Sequence, residues 1–215
     1  MKIDVIVDTI CPWCYIGKRR LDRALATRPE LAVEIGWRPF QLNPEMPAGG
    51  RDRKSYLAQK FCGIERARQR YVSITEAGAQ EGIDFQFDRI ERTPNTIASH
   101  RLILRAGRAG LQAAAIDGVF DAYFTQGRDI GDANVLAEIG AAAGLDPASL
   151  RAYLDGEDDV EHIVAEDEMA RSIGIGGVPC FIIDRKYAVS GAQAPEVFHQ
   201  VFDLVLQDRR EVAAE

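Results

Sequence analysis

Two cysteines spaced by two residues, Cys11-Pro12-Trp13-Cys14, follow directly on an apolar run from Ile3 to Ile10 and open a segment with helical periodicity. A CxxC pair at a strand-to-helix junction suits thiol–disulfide exchange, whereas a pair in a loop is more often half of a metal site. The placement predicts Cys11 at the helix N-cap and Pro12 at the first helical position, where a missing N–H is harmless. The amides of Trp13 and Cys14 then point back at the Cys11 sulfur, and the helix dipole favours its thiolate. Residues three apart share a helix face, so the two sulfurs can reach disulfide geometry without rebuilding the backbone. These expectations make Cys11 the attacking sulfur and Cys14 the less exposed, resolving one.

The competing reading of the pair is two reduced core thiols or half of a zinc site. Zinc needs about four ligands. Cys62 and Cys180 lack CxxC spacing, and His100, His162 and His199 form no ligand pair, so no metal is expected. Cys180 follows Pro179 and is read either as a third thiol near the site or, preferably, as a small core-facing strand residue. Cys62 ends a helical stretch and is expected to pack. Trp13, between the two sulfurs, is expected to shape the contact with substrate rather than fill the core. Asp8 has two open readings, a buried carboxylate that assists proton transfer at Cys14 or a solvated strand end. Lys18-Arg19-Arg20 is read as a solvated helix face rather than as a group acting on Cys11.

The elements that must position these residues follow from periodicity. Residues 2–8 read as a buried strand, Cys14 to about Ala26 as a helix stopped near Pro29, and Val33 to Phe40 as a second strand ending in the turn Gln41-Leu42-Asn43-Pro44. Between about Asp52 and Ile173 almost everything is helical, with Gly63, Gly82, Gly110, Gly127 and Gly144 as C-terminal punctuation. The expected helices are Tyr56 to Cys62, Glu65 to Glu81, Thr96 to Ala109, Gln112 to Phe124, Ala133 to Ala143, Pro147 to Leu154 and Glu157 to Ser172. Strand character returns at Val178 to Ile183 and at Tyr187 to Gly191, a hairpin, before a last helix from Pro195 through Leu206. The order is β-α-β, a helical block, then β-β-α. A single sheet split by a helical insertion accommodates it.

The totals restrict the class. The 215 residues are 47% apolar and 27% charged, ordinary for a globular chain. The net charge is 26 − 33 = −7, which speaks against a nucleic-acid partner. No apolar run approaches the roughly 20 residues that span a bilayer, so no membrane association is expected. Met1-Lys2-Ile3-Asp4 leads straight into the strand without an apolar leader core, and the expected compartment is cytoplasmic. There, a cysteine pair cycles rather than staples. Nothing in the sequence separates a monomer from a homodimer.

Cys11-Pro12-Trp13-Cys14-Tyr15-Ile16-Gly17, Arg38-Pro39-Phe40-Gln41-Leu42-Asn43-Pro44, Asn95-Thr96 with His100-Arg101-Leu102, Gly176-Gly177-Val178-Pro179 and Tyr187-Ala188-Val189-Ser190-Gly191-Ala192-Gln193 together resemble the DsbA-like thioredoxin-superfamily oxidoreductases, and within them the FrnE-like group. The resemblance spans nearly the whole chain. It implies an α/β thioredoxin-like fold built from residues 1–50 and 174–215, with residues 51–173 as an inserted helical domain capping the groove. It further implies that Pro179 is cis and faces the cysteines, that the Val178 backbone pairs with an extended substrate strand, and that Asn43 and His100 line the groove. The implied activity is disulfide oxidation, reduction or isomerisation on protein or small-molecule thiols. It requires no organic cofactor, and glutathione is a candidate co-substrate. The kappa-class glutathione transferases and 2-hydroxychromene-2-carboxylate isomerases are similar in architecture and imply the alternative activity. In them a single hydroxyl at the position of Cys11 activates glutathione; the second cysteine here favours redox chemistry.

Overall fold

The computed structural model describes residues 1–213. At its centre is β1 (Lys2–Val7), whose alternate side chains Ile3, Val5 and Val7 are buried in the main core. α1 (Pro12–Ala26) returns the chain to β2 (Glu34–Pro39), parallel to β1 with Val5 opposite Trp37 and Val7 opposite Pro39. β5 (Cys180–Ile183) runs antiparallel on the other side of β1, with Ile6 opposite Cys180, and β6 (Tyr187–Ser190) completes the order β2-β1-β5-β6. The final helix, α9 (Pro195–Ala213), packs beside α1. It extends beyond the expected end at Leu206.

Between β2 and β5 lie α2 (Arg53–Lys60), α3 (Ile64–Gln80), α4 (Ile97–Arg108), α5 (Gln112–Phe124), α6 (Ala133–Ala143), α7 (Pro147–Asp155) and α8 (Val160–Ser172). The sequence misses a two-residue ribbon, β3 (Arg51–Asp52) with β4 (Arg92–Thr93), which ties the entrance of the block to its middle. It is too short to carry a periodic signal. Phe85 and Phe87 stack on each other at 4.8 Å, and Phe87 opens a single 3₁₀ turn, Phe87–Arg89.

Sheet and helical block share one hydrophobic core. Tyr15 of α1 stacks on Phe120 of α5 at 5.1 Å and meets Phe85 edge-on at 6.2 Å. Burying these aromatic rings across the seam holds the block against the start of α1 more firmly than the chain crossings at its two ends would. The Lys18-Arg19-Arg20 segment reinforces the seam. Lys18 is buried between Asp22 and Asp117 of α5, and Arg20 pairs with Glu81 at the end of α3. The expectation of a solvated face is thereby corrected: the apolar stripe of α1 is flanked by cations that meet acids from the insertion.

The outer edge of β2 is capped at Trp37. The Gln112 side-chain amide accepts from Trp37 N–H at 3.0 Å and donates to Trp37 C=O at 3.1 Å, and Pro39 has no N–H to offer. Capping at Trp37 and a proline at position 39 blunt the second half of this edge against pairing with another strand.

Candidate active site

Asp8-Thr9-Ile10 links β1 to α1, and Cys11 is the N-cap of α1 with extended backbone angles (φ −93°, ψ 111°) and Pro12 in the first turn. The Cys11 N–H donates to the Asp8 carbonyl and the Cys14 N–H to the Cys11 carbonyl, both at 3.0 Å. No side chain caps this helix. Pro12 has no N–H and the Cys14 amide is spent on the Cys11 carbonyl rather than on the sulfur, so of the two amides expected to face the sulfur only that of Trp13 is left for it.

Both cysteines are free thiols, close enough to hydrogen-bond. Cys14 is completely buried, and burial pushes its thiol well above the ordinary range; the hydrogen bond with Cys11 and the charge on Cys11 push the same way. Cys11 lines a cleft of about 370 Å³ together with Pro12, Trp13, Leu42 and Val178. Its thiol donates to the Val178 carbonyl at 3.7 Å across 167 residues of chain. The Val178–Pro179 peptide bond is cis, and Pro179 is buried just ahead of β5. The ladder begins at Cys180, so the expected strand start at Val178 moves two residues along; Pro179 has no N–H to donate and joins the hairpin only through its carbonyl, which accepts from Gly191 N–H at 2.8 Å.

Asp8 is fully buried, which removes the solvated reading. Its carboxylate accepts from Leu42 N–H at 2.7 Å and from Ile10 N–H at 3.4 Å, fixing the turn after β2 to the cysteine loop. His100 Nε2 stands 3.7 Å from Asp8 Oδ1 and makes no hydrogen bond of its own. Thr9 and Ser99 join the same loop to α4 through their hydroxyls at 2.8 Å.

Two residues expected in the groove stand behind it. His100 lines a different cavity, beside Trp37, Pro39 and Ile163. Asn43 holds the Tyr56 hydroxyl through Oδ1 at 2.9 Å and thus supports the wall of the cysteine cleft from outside. Trp13 is 37% exposed and lines the cleft.

Cys180 packs with Ile6, Phe40 and Ala170, on the face of the sheet opposite to Val5, Val7 and α1. Burial raises its thiol too, and it fills the core as expected. Cys62 does not pack; it is exposed in the turn between α2 and α3 at φ +53°. Among the described residues no three His, Cys, Asp or Glu side chains are grouped as metal ligands would be.

The far wall of the cleft comes from α2 and α3, through Arg53, Tyr56, Leu57, Lys60, Arg70 and Tyr71. Sequence reasoning missed these residues entirely. Their only signal was an alternation of aromatic and basic residues in one helical hairpin, which a solvated helix shows equally well.

Among the described residues no helix is long and apolar enough to cross a membrane. The crystal structure of a probable DsbA oxidoreductase, SCO1869 from Streptomyces coelicolor, is 32% identical and superposes with a TM-score of 0.85 over 94% of this chain and 88% of that one. A cytosolic disulfide reductase, DsbM from Pseudomonas aeruginosa, solved with GSH, is 20% identical, with a TM-score of 0.67 over 96% and 100% of the two chains. A 2-hydroxychromene-2-carboxylate isomerase is 15% identical, with a TM-score of 0.71 over the whole of both chains. The last two likenesses concern the fold alone. Residues 2–203 match the family model described as a DSBA-like thioredoxin domain, and the chain belongs to that family.

Proposed function

We propose that the protein is a thiol–disulfide oxidoreductase working through Cys11 and Cys14. The observation that carries this reading is the pairing of an N-cap thiol at a cleft, bonded to the Val178 carbonyl, with a fully buried second thiol behind it. The Cys11 thiolate attacks one sulfur of a substrate disulfide; a mixed disulfide forms and the other substrate sulfur leaves as a thiolate. Cys14 then gives up its proton, attacks the Cys11 sulfur, and releases the second substrate thiolate. The protein ends oxidised and the substrate reduced by two electrons, and the reverse sequence oxidises a dithiol.

Asp8 is the proposed acceptor of the Cys14 proton, since it is buried and near enough for its charge to act on that thiol. Trp13 is the proposed contact with substrate side chains, and the Val178 backbone, next to buried Pro179, the proposed partner of an extended substrate segment. No organic cofactor enters this scheme. Glutathione, which accompanies DsbM in its solved structure, is a candidate co-substrate. Glutathione-dependent isomerisation draws no support from the second cysteine, which that chemistry does not use.

The decisive experiment replaces Cys14 with Ser. A substrate disulfide should then remain covalently attached to Cys11, visible by mass as a stable adduct that reductant removes. Release of substrate at the wild-type rate would refute the two-step scheme.

A further inference from the structure

The walls of the cysteine cleft narrow the class of substrate, an inference that rests on the oxidoreductase reading. Three cations line the cleft, Arg53, Lys60 and Arg70, and no carboxylate does. In a chain that carries seven more acids than bases, this is a local reversal of sign. None of the three takes part in an ion pair among the described residues.

Arg53 is the most telling. It is 6% exposed, and its guanidinium donates only to neutral hydroxyls: Tyr71 at 2.7 Å, Tyr123 at 3.1 Å and Thr93 at 3.2 Å. Its Nε is buried without a partner. A buried cation normally needs a counter-charge. Arg101, equally buried, has one, since it donates to the Tyr153 and Leu154 carbonyls in the last turn of α7, the negative end of that helix. Arg53 sits instead in the first turn of α2, where the dipole is positive, and the neighbouring Asp52 carboxylate is turned to Ser55. Lys60 donates to Tyr56 OH at 2.7 Å, and Arg70 lies over the Phe61 ring at 5.7 Å, so both are held by aromatics rather than acids.

The spacing favours a chain over a point charge. Arg53 and Lys60 are seven residues apart on α2, about 10 Å along its axis. That is roughly three residues of extended polypeptide. Between the cations the wall is apolar, with Leu57, Tyr71 and Ile74 facing the same space.

We infer that the preferred substrate is an acidic polypeptide segment, one in which the disulfide-bonded cysteine is flanked by Asp or Glu a few residues away. The carboxylates meet Arg53, Lys60 and Arg70 while the cysteine sulfur meets Cys11.

The test uses three fluorogenic disulfide peptides of equal length with acidic, neutral and basic flanks, together with glutathione disulfide. With the wild-type protein the acidic peptide should be reduced with a kcat/KM about tenfold above the basic one, the combined effect of a few partly exposed charges. The ratio should shrink toward unity as salt rises to molar concentration, where screening acts within about 3 Å. The paired exposed substitutions Lys60→Gln and Arg70→Gln should lower the acidic-to-basic ratio, and they avoid disturbing buried Arg53. Equal turnover of all three peptides would overturn the inference while leaving the oxidoreductase reading intact. A cation-dependent preference for glutathione disulfide alone would also overturn it. No reduction of any of the four would overturn the oxidoreductase reading itself. Binding to the Cys11→Ser protein, read by fluorescence anisotropy, then still reports on the charge preference: acidic over basic supports the inference, and equal affinity refutes it.

Discussion

Gly17 lets α1 lie directly against the ring of Pro179. A methyl group on Gly17 would stand 2.9 Å from Pro179 Cγ and 3.2 Å from Phe181 Cζ, inside any ordinary contact distance. Within a helix Ala is intrinsically favoured over Gly by about 1 kcal/mol. The missing side chain is therefore explained by this contact, made beside Val178, whose carbonyl accepts from Cys11.

Gly17→Ala should accordingly separate stability from activity. Overpacking costs about 1–3 kcal/mol, against which the helix regains about 1. The folded state should survive, with a modest fall in the urea midpoint. Turnover of a disulfide peptide should drop about tenfold, as the segment carrying Val178 is pushed from the attacking sulfur. Unchanged turnover in a variant with a normal circular dichroism spectrum would mean that the contact is mere packing.

The buried Cys14 thiol predicts a pH-dependent stability in the reduced protein. Its proton is held more tightly folded than unfolded. The contribution is complete below the unfolded thiol's pKa, about 8.5, and is lost as pH rises toward the folded value. Urea unfolding under reductant should show stability falling above pH 8.5 by at most about 1.4 kcal/mol per pH unit for this group. Cys180, raised by burial alone, adds to the slope in the same direction. Between pH 8.5 and about 10, below the range where buried tyrosines begin to contribute, Cys14→Ser should leave only that remainder; an undiminished slope would show that Cys14 ionises freely in the fold.

The cysteine motif and its strand-to-helix setting were legible because each rests on local signals: an apolar strand, a proline at a helix start and a spacing of three. Pro179 was reachable through its motif, although it is 168 positions from Cys11. What escaped was the meaning of polar residues whose partners are distant in the chain. Lys18 resembles any surface lysine until Asp117 is seen beside it. Arg53 and Lys60 look like a solvated helix until the hairpin is folded over Cys11. Asp8 could be weighed only between two readings, because its burial depends on Leu42 and α4 closing over it.

Asp8→Asn should slow the resolving step. The carboxylate is the proposed acceptor for the Cys14 proton, and removing a positioned base typically costs about a hundredfold. Stopped-flow decay of the mixed disulfide at pH 7 should show a loss of that order, diminishing toward high pH as hydroxide takes over the deprotonation. A purely structural role for Asp8, through its bond to Leu42 N–H, would depress the rate equally at every pH. The shape of the profile separates the two.

Glu81 ties the start of the chain to the insertion, and its removal should be costly. Its two oxygens meet Arg20 Nε at 3.0 Å and Arg23 at 2.7 Å, and its side chain is only 3% exposed. Arg20 also donates to the Ala192 carbonyl at 2.6 Å, so the same guanidinium braces α1 against the loop after β6. Glu81→Gln leaves two neighbouring guanidinium groups with no anion between them. Arg23 is 57% exposed and solvated, so the loss rests on the Arg20 pair. Breaking a fully buried pair costs about 3–5 kcal/mol, and the partial exposure of Arg20 reduces the expected loss to about 2. The urea midpoint should fall with an unchanged m-value, since the folded surface is the same. The loss should also persist in high salt, because screening barely reaches a carboxylate this deeply placed. A midpoint shift that disappears in salt would instead describe a surface pair, and the seam between sheet and insertion would then rest on its aromatic rings and the Lys18–Asp117 pair.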